Sequence, residues 1–491
     1  MNKKTTTSTA RPAKTWIAAL LAGHSALGLS FCALIYLICL SGTLAVFEHE
    51  LQRWEQPLLP IATELAPQAI DTAITQIRQK APTDAASSIT ITLPTQDRPQ
   101  MLVSAGGHEG KGGHDWYADG YGRLVIEARH PATSFIAELH TGLHLPLGVG
   151  TVIIGLSGMA LLCLIISGTL AHARMFKDAF KLRLGGARRL QLADMHNRLG
   201  TWALPFALII SFTGAFIALF FFMFAGVATT TYRGDMGKAF ADLAGPFPKH
   251  DRRPQPLPPI APLIAQARLA MPMATMDTLD IQQPGTRGQQ IGISLREANP
   301  LLAPARFVFD GDGRQIYSSV APPFSAPQQL LLATQPVHYG WFGGLGVKIA
   351  YGLLGIVLCV VTSTGARVWL ERRRDKGRPA PTFERLWIAV KWGQPLGIAL
   401  AVWIALVSTG AIAPTLVWVL VSAATLLAAA FRGAQDRLDR WLRIALASVL
   451  AVVVVSHLWI WRDSEAILVS WPIDGMILIS AIMVGFTLPR R

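Results

Sequence analysis

The sequence is poor in charged residues. Asp, Glu, Lys and Arg make up 15% of the 491 residues, whereas hydrophobic residues make up 51%. This balance is too apolar for an ordinary soluble enzyme of this length. It excludes a chain that lies wholly in water, and it predicts an integral membrane protein.

Cysteine is also scarce, and the common cofactor fingerprints are missing. The four cysteines all lie in hydrophobic stretches, at Cys32, Cys39, Cys163 and Cys359. None lies in a polar segment, so we expect no disulfide framework and interpret all four as small buried residues. The chain has no glycine-rich dinucleotide motif and no flavin signature, so we do not expect it to bind NAD(P)H itself.

Long hydrophobic runs are abundant. A helix needs about 20 apolar residues to cross roughly 30 Å of hydrocarbon. Eight segments reach this length, at 16–47, 145–171, 198–225, 344–370, 387–409, 412–430, 442–461 and 467–488. The signals at 412–430 and 467–488 are the weakest. The first segment is too long for a cleaved signal peptide and lacks a small-residue cleavage site, so we interpret it as a membrane helix.

The net charge of +14 is concentrated in every second connection. Basic clusters precede the first helix and follow the second, fourth and sixth helices. The positive-inside rule therefore predicts cytoplasmic termini, with segments 50–139 and 226–337 exported. Topology and anionic lipid headgroups account for these clusters, so we expect the bilayer as a partner and no nucleic acid.

The membrane segments contain an internal duplication. His24 and His196 are each followed by Leu-Gly at the third and fourth positions and by Ser/Thr-Gly at the seventeenth and eighteenth. His140 and His338 are each followed by Gly two residues later and by Leu-Gly seven and eight residues later. Helices 1 and 2 thus resemble helices 3 and 4, which indicates two copies of one unit.

The exported segments repeat as well. Residues 66–130 and 260–320 each show a helical pattern followed by short alternating runs separated by Asp-Gly and other glycine turns. Each is predicted to be a small α+β module. The histidines of the glycine-rich stretch 106–116, His108 and His114, are interpreted as incidental residues of an exposed loop rather than metal ligands.

These observations predict a mostly α-helical, polytopic membrane protein. Its four-helix core is a duplicated helix–module–helix unit, and about four further membrane helices follow. The predicted order is an N-terminus at 1–15, TM1 at 16–47, module 1 at 48–139, TM2 at 140–172, a basic loop at 173–195, TM3 at 196–225, module 2 at 226–337, TM4 at 338–370, a basic loop at 371–386, and TM5 to TM8 within 387–491.

Histidines mark both ends of the core helices. The predicted topology places His24, His172 and His196 at the cytoplasmic face, and His49, His140, His144 and His338 at the exported face. Taken singly, each of these histidines is explained as a polar residue at the membrane interface. Ionisable groups within membrane segments usually face the bundle interior, however, and four of these lie at repeat-equivalent positions. The pattern therefore favours two layers of ligands.

Haem is the cofactor that fits these layers best. A site for zinc, nickel or copper transport would favour carboxylate or thiolate partners near the midplane, and the helix interiors offer few acids. Haem iron takes axial imidazoles from facing helices of a bundle. Two layers then predict two haems. We expect His24 to pair with His196, with His172 as the alternative, and His338 to pair with either His140 or His144.

The stretches "LHTGLHLPLGVGTVIIGLSG", "SGTLAHARMFKDAFKLRLGG" and "DMHNRLGTWALPFALIISFTG" resemble the PepSY-associated transmembrane family, over about residues 15–375. This family includes inner-membrane reductases of ferric siderophores. The resemblance implies a four-helix core that holds haem b, two PepSY modules and a periplasmic substrate. The family's histidine positions fall on His24, His140, His144, His172, His196 and His338. The chain departs from similar sequences at Ala207, where a further histidine is common.

The expected function is transmembrane electron transfer through two b-type haems, which reduces a ferric siderophore or other ferric chelate in the periplasm. A quinol or a separate flavoprotein is the expected electron donor. Two alternatives remain open at this point: a regulatory or binding protein with PepSY modules and no haem, and a proton-coupled transporter. His457, beyond the resemblance, is interpreted as a buried polar residue rather than an added site.

Overall fold

The computed structural model describes residues 13–95, 98–106, 113–146, 148–172, 175–177, 179–180, 187–320, 325–408, 413–431, 435–464 and 470–486. Within these ranges the chain forms sixteen helices and eight strands. The chain is mostly α-helical, with one antiparallel sheet. His108 lies outside the described residues.

Among the described residues, six helices are long and apolar enough to cross a membrane. They are α1 (Ala13–Ala45), α6 (Val149–Ala171), α8 (Leu204–Thr231), α12 (Gly344–Asp375), α13 (Pro381–Val407) and α15 (Gln435–Ile460). The two segments with the weakest hydrophobic signal form α14 (Pro414–Ala430) and α16 (Trp471–Phe486), which have 17 and 16 residues. Within the described residues, the eight predicted spans thus correspond to six helices of spanning length and two shorter apolar helices.

Eight shorter helices connect these elements. They are α2 (Glu48–Glu55), α3 (Ala69–Lys80), α4 (Pro82–Ala85), α5 (Pro131–Gly142), α7 (Arg188–Trp202), α9 (Met236–Ala244), α10 (Ile260–Ala270) and α11 (Ala326–Tyr339). Three of them, α5, α7 and α11, directly precede the membrane helices α6, α8 and α12.

The sequence predicted each of these pairs as one continuous helix, at 140–172, 196–225 and 338–370, and the structure corrects this. Between α5 and α6, Leu143 and His144 both adopt left-handed backbone conformations, with φ of 54° and 51°. Helix α8 begins at Leu204, and Pro205 in its first turn has no backbone N–H to continue the hydrogen bonding of α7. Gly340, with φ of 73°, ends α11. His140, His196 and His338 therefore lie on short helices beside the spans.

The two predicted modules form a single eight-stranded sheet. Its strands are β1 (Ser88–Thr92), β2 (Met101–Ala105), β3 (His114–Ala118), β4 (Leu124–Glu127), β5 (Thr275–Gln282), β6 (Gln290–Arg296), β7 (Ala305–Phe309) and β8 (Gln315–Ser318). The order is β4-β3-β2-β1-β5-β6-β7-β8. β1 and β5 pair antiparallel at the centre, with Ile89 opposite Ile281. We call this pairing the seam.

One hydrophobic core lies beneath the whole sheet. Ile89 and Ile91 from the first half and Ile281 and Ile291 from the second are fully buried in it. Helices α3 and α10 pack on the same face, one from each half. The alternation of buried and polar residues that predicts each strand also places these isoleucines on one face. The sheet is thus one domain with two-fold pseudosymmetry.

The membrane helices form two groups. In the first, α1 packs against α6 and α12, and α6 packs against α8, so the two copies of the duplicated unit make one four-helix core. In the second, α13 packs against α14 and α15, and α15 packs against α16. Helix α13 also contacts α1 and α5, so the second group lies against the core on the side of α5.

A buried polar network fastens the second group to the connection after α1. The Trp54 indole Nε1 donates to Asp474 Oδ1 at 2.9 Å, and His457 bonds Asp474 through Nδ1 at 3.0 Å. The other ring nitrogen of His457 lies 2.8 Å from the Trp54 carbonyl oxygen. His457 is fully buried, as the sequence predicts. We call Trp54, His457 and Asp474 the latch.

Candidate functional site

Four of the histidines form two close pairs. The rings of His24 and His196 lie 6.3 Å apart between centroids, at an interplanar angle of 81°. The rings of His140 and His338 also lie 6.3 Å apart, at an angle of 15°. In each pair one histidine comes from each copy of the duplicated unit. We call them the basic-end pair, near the arginine-rich connections, and the sheet-side pair, on the helices that leave the sheet.

The two pairs are well separated along the bundle. The ring of His140 packs against Gly42 near the end of α1, whereas His24 lies near its start. Eighteen residues of α-helix between His24 and Gly42 correspond to a rise of about 27 Å. The pairs therefore lie near opposite ends of the hydrophobic span.

Each ring lies against the glycine of a Ser/Thr-Gly pair on a neighbouring helix. A Cβ atom built on Gly42 or Gly214 would collide with a ring carbon, and one built on Gly168 or Gly365 would make an unusually tight contact. The separation from that Cβ to the ring Cε1 would be 2.7 Å for Gly42 and His140, 2.8 Å for Gly214 and His338, 3.1 Å for Gly168 and His24, and 3.1 Å for Gly365 and His196. The repeated glycine is thus the socket that admits the imidazole.

In the sheet-side pair, hydrogen bonds orient both rings through Nδ1. His338 Nδ1 lies 2.9 Å from the Thr213 hydroxyl oxygen. That hydroxyl donates to the Ile209 carbonyl oxygen at 2.7 Å, so it accepts from His338. His140 Nδ1 donates to the Ile38 carbonyl oxygen at 3.2 Å. A proton on Nδ1 leaves the lone pair on Nε2, which is the form that ligates a metal.

The basic-end pair is oriented in the same way. His24 Nδ1 lies 3.1 Å from the Ser167 hydroxyl oxygen. His196 Nδ1 donates to the Val361 carbonyl oxygen at 2.9 Å. Both rings are therefore held through one nitrogen by the neighbouring helix, and the second nitrogen is left for a ligand.

The spacing within the pairs fits two axial ligands of one metal. With metal–nitrogen bonds of about 2 Å, and about 1 Å from each nitrogen to its ring centre, opposed imidazoles have centroids about 6 Å apart. Among the described residues, no cluster of three or more His, Cys, Asp and Glu side chains could hold a metal ion. A pair of imidazoles suits haem, because the macrocycle supplies the four remaining ligands.

Comparison with known proteins places the chain in a family. The family model described as the PepSY-associated TM region matches residues 21–372. The chain belongs to the PepSY-associated transmembrane family. The match confirms the resemblance found in the sequence, and it includes both histidine pairs and the whole sheet. Helices α13 to α16 lie outside it.

A curated relative gives no further activity for this PepSY-associated protein. The chain is 28% identical over 259 residues to a Pseudomonas aeruginosa protein named as the uncharacterized protein PA4219. The similarity covers 50% of this chain and 64% of the relative, so it spans less than two thirds of the relative's length.

Two histidines that the sequence placed on the family's ligand positions lie outside the pairs. His144 has both ring nitrogens engaged, with Nε2 at 2.9 Å from the Phe135 carbonyl oxygen and Nδ1 at 3.2 Å from the Thr415 hydroxyl oxygen. His144 therefore packs α5 against α14, and the geometry favours His140 as the partner of His338. His172 is the C-cap residue of α6, and the ring that contacts His24 is that of His196.

The sequence did not identify the residues that hold the paired rings. The Ser/Thr-Gly pairs were noticed as repeat markers, but their role as sockets follows from the packing of one helix on another. A Ser/Thr-Gly pair that recurs opposite a histidine, one helix length away, is the signal that could have found them. Ala207, where similar sequences carry histidine, is buried against Ala203 and Leu358.

The start of α5, which carries His140, is fixed by a buried carboxylate. Glu55 accepts hydrogen bonds from the backbone N–H groups of Ala132 and Thr133 at 2.8 Å each. Burial raises the pKa of Glu55 to about 7, against the lowering effect of these bonds. Beside it, burial lowers the pKa of His130 to about 4, so this residue is neutral near pH 7.

His114, in the described part of the glycine-rich insertion, contacts the sheet domain. His114 Nδ1 lies 2.6 Å from Asp84 Oδ2, and its ring stacks on Trp116. These contacts join β3 to the end of α4 at the edge of the sheet.

Proposed function

We propose that this PepSY-associated membrane protein transfers electrons across the bilayer through two b-type haems and reduces a ferric chelate on the side of the sheet. The observation that carries the proposal is the occurrence of two matched imidazole pairs, one near each end of α1, at a spacing suited to axial ligation. Two such sites in one bundle form an electron path along the membrane normal.

In this proposal the residues of the chain would hold the haems and orient their ligands. His24 with His196, and His140 with His338, would hold the two haems, which supply reversible one-electron chemistry when bound. The socket glycines would leave room for the four rings. The hydroxyls of Ser167 and Thr213 and the carbonyl oxygens of Ile38 and Val361 would orient the rings through Nδ1. The bundle excludes water between the sites, so the protein's task is positioning and insulation.

The charge distribution supports the direction of transfer. Arg372, Arg373 and Arg374 end α12, on the side of the basic-end pair, and the positive-inside rule assigns this end to the cytoplasm of a bacterial inner membrane. The sheet then lies in the periplasm. A quinol or a reduced flavoprotein would supply electrons at the basic-end pair, and Fe(III) would accept one electron beyond the sheet-side pair.

Ferric chelates suit this arrangement as substrates. One electron converts chelated Fe(III) to Fe(II), and no covalent bond needs to form in the step. Fe(II) has a lower charge density and prefers softer ligands, so an oxygen chelator holds it less tightly. Reduction therefore releases iron without chemical damage to the chelator, and the protein needs no covalent catalyst.

The visible spectrum of the purified protein tests the proposal. We expect a b-type Soret and α band, with two haems per chain. His24→Ala and His338→Ala should each remove about half of the haem, whereas His250→Gln, on the exposed surface of the sheet domain, should remove none. Ferric chelate should oxidise the dithionite-reduced protein in stopped-flow mixing, and His338→Ala should abolish this oxidation.

Two results would contradict the proposal. One is a purified protein without a haem spectrum, which would favour a regulatory or binding role for the PepSY domain. The other is a His338→Ala variant that keeps both haems and oxidises at the wild-type rate.

A further inference from the structure

A continuous series of aromatic rings leads away from the sheet-side pair. The His338 ring lies 5.9 Å from that of Tyr339, and Tyr339 lies 4.6 Å from Trp341. Trp341 in turn stacks on His49 at 5.9 Å, with an interplanar angle of 18°. Trp341 is 39% exposed. The series therefore joins one histidine of the candidate haem site to the surface between α11 and α12.

The sequence and fold explain why these rings meet. Gly340 ends α11 in a left-handed conformation, and this turn brings Trp341 back beside Tyr339. The chain leaves α1 beside α12, where Phe47 packs against Gly352. His49, two residues later, is thereby placed against Trp341. Residues from both copies of the duplicated unit thus contribute to the surface.

Cationic side chains surround the outer end of this series. Lys348, which is 2% exposed, forms an ion pair with Glu50 at 2.8 Å. Arg98 reaches the same region from the connection between β1 and β2, and its Nε is buried without a hydrogen-bond partner. Burial, together with the charges of Arg98 and Lys348, lowers the pKa of His49 to about 3. The His49 ring is therefore neutral near pH 7, and Arg98 is the nearby cationic group that no described carboxylate pairs with.

We propose that His49, Tyr339 and Trp341, with Arg98 and Lys348 beside them, form the docking surface for a ferric chelate of net negative charge. The proposal rests on the proposed function and names its substrate class. The flat faces of Trp341 and His49 can stack on aromatic or planar chelating groups. The positive charge of the Arg98 guanidinium, which acts on His49, can attract an anionic chelate.

The same surface provides the exit for the electron. One electron passes from the reduced sheet-side site to the docked Fe(III) and gives Fe(II), and the quinol or flavoprotein that reduces the protein supplies it. The rings of Tyr339 and Trp341 keep the path short, because they fill the space between His338 and the docked chelate with closely packed side chains. No residue of the surface needs to change its own oxidation state.

The main competing explanation is that Tyr339 and Trp341 simply anchor the bundle at the membrane interface, where these residues are enriched. Interface anchors do not require a neighbouring guanidinium, however, and they show no selectivity for the charge of a chelate. Charge selectivity therefore distinguishes the two explanations.

Binding of redox-inert gallium chelates tests the docking surface without electron transfer. The probes are a trianionic Ga(III) tris-catecholate and a neutral Ga(III) trihydroxamate, titrated into the full-length protein in detergent with tryptophan fluorescence as the readout. Removal of one nearby positive charge should lower the affinity for an anion about tenfold. We therefore expect Arg98→Gln to bind the anionic gallium chelate about tenfold more weakly than wild type, and the neutral chelate less than about twofold more weakly. Arg268→Gln, on the exposed face of α10, is the matched control and should change neither.

Electron transfer provides the second readout. Trp341→Leu should slow stopped-flow oxidation by the anionic ferric chelate about tenfold while both haems remain bound, whereas Trp471→Leu, at the exposed start of α16, should leave the rate unchanged. If Arg98→Gln binds each gallium chelate as tightly as wild type does, the proposed docking surface is wrong. Equal slowing by Trp341→Leu and Trp471→Leu would show that these residues are interface anchors. Binding that depends on Arg98 in a protein without haem would uphold the surface and reject the proposed electron transfer.

Discussion

At the scale of single residues, the four glycine sockets are the feature on which the candidate site depends most directly. Glycine is usually a cost inside a helix, of about 1 kcal/mol relative to alanine. Here the lack of a Cβ atom leaves the space into which a histidine ring packs. A gain of helix stability and a loss of site geometry are therefore expected from the same substitution.

Gly42→Ala separates these two effects. The new Cβ would lie 2.7 Å from His140 Cε1, so the ring must move out of its socket. We expect the variant to lose or spectrally shift the sheet-side haem while the basic-end haem is unchanged. Gly23→Ala, in the same helix, meets nothing within 4 Å and is the control. An unperturbed two-haem spectrum in Gly42→Ala would contradict the socket.

The hydroxyl of Thr213 gives a second residue-scale prediction. Thr213→Val keeps the shape of the side chain but removes the acceptor that lies 2.9 Å from His338 Nδ1. Loss of such a partner typically weakens metal binding by about 10–100-fold, so we expect this loss of haem affinity at the sheet-side pair. Thr213→Ser retains the hydroxyl and should bind haem like wild type. Haem titration of the apoprotein measures the affinity of each variant. Equal haem affinities of Thr213→Val and Thr213→Ser would reject the role of the hydroxyl.

At the scale of elements, short helices carry the site. Helices α5, α7 and α11 each present a histidine beside a span, and each is positioned by a different neighbour. Helices α13 and α14, from outside the family region, contact α5 directly, and the latch ties α15 and α16 to α2, which also packs on α5. This second group therefore has a structural role in keeping the sheet-side pair in register.

The latch can be tested through stability. Asp474→Ala leaves His457 Nδ1 and Trp54 Nε1 without their partner in a buried site, at a cost of about 1–3 kcal/mol for each unsatisfied group. We expect a clear fall in the melting temperature of the detergent-solubilised protein. Asp463→Ala, whose side chain is largely exposed, should leave it unchanged. Identical melting of the two variants would show that the latch contributes nothing.

The connection before α5 predicts a pH dependence. The pKa of His130 is about 4 in the folded protein and 6.5 without burial, so the unfolded chain takes up the proton first as the pH falls. The stabilising contribution is complete above pH 6.5 and is lost as the pH falls toward 4, with about 1 kcal/mol lost by pH 5.5. Glu55, whose pKa is raised, contributes a dependence of opposite sign in wild type and variant alike. His130→Gln should remove only the His130 loss, so between pH 7 and 5 its melting temperature should fall less, or rise more, than that of wild type, whereas His250→Gln should follow wild type. A His130→Gln profile parallel to that of wild type would assign the loss to another group.

At the scale of the whole molecule, local sequence patterns predicted the helices and strands, but they did not predict which distant strands pair. Hydrophobic length found the six spans, and alternation found the strands of each half. No local pattern reveals that β1 pairs with β5 from the other half, because the two strands are far apart in the chain. The split of predicted helices at Leu143 and His144 was missed for a related reason. Left-handed conformations are unusual in such residues, and packing rather than local preference selects them.

The seam between β1 and β5 also limits how the two copies of the unit can move. A transporter built from repeats works by alternating access, in which one repeat rocks against the other around a central solute. Here the backbone hydrogen bonds of a continuous sheet join the repeats, and rocking would have to shear that ladder. A solute needs such a moving gate, but an electron does not. The joined sheet therefore suits a rigid conductor better than a carrier.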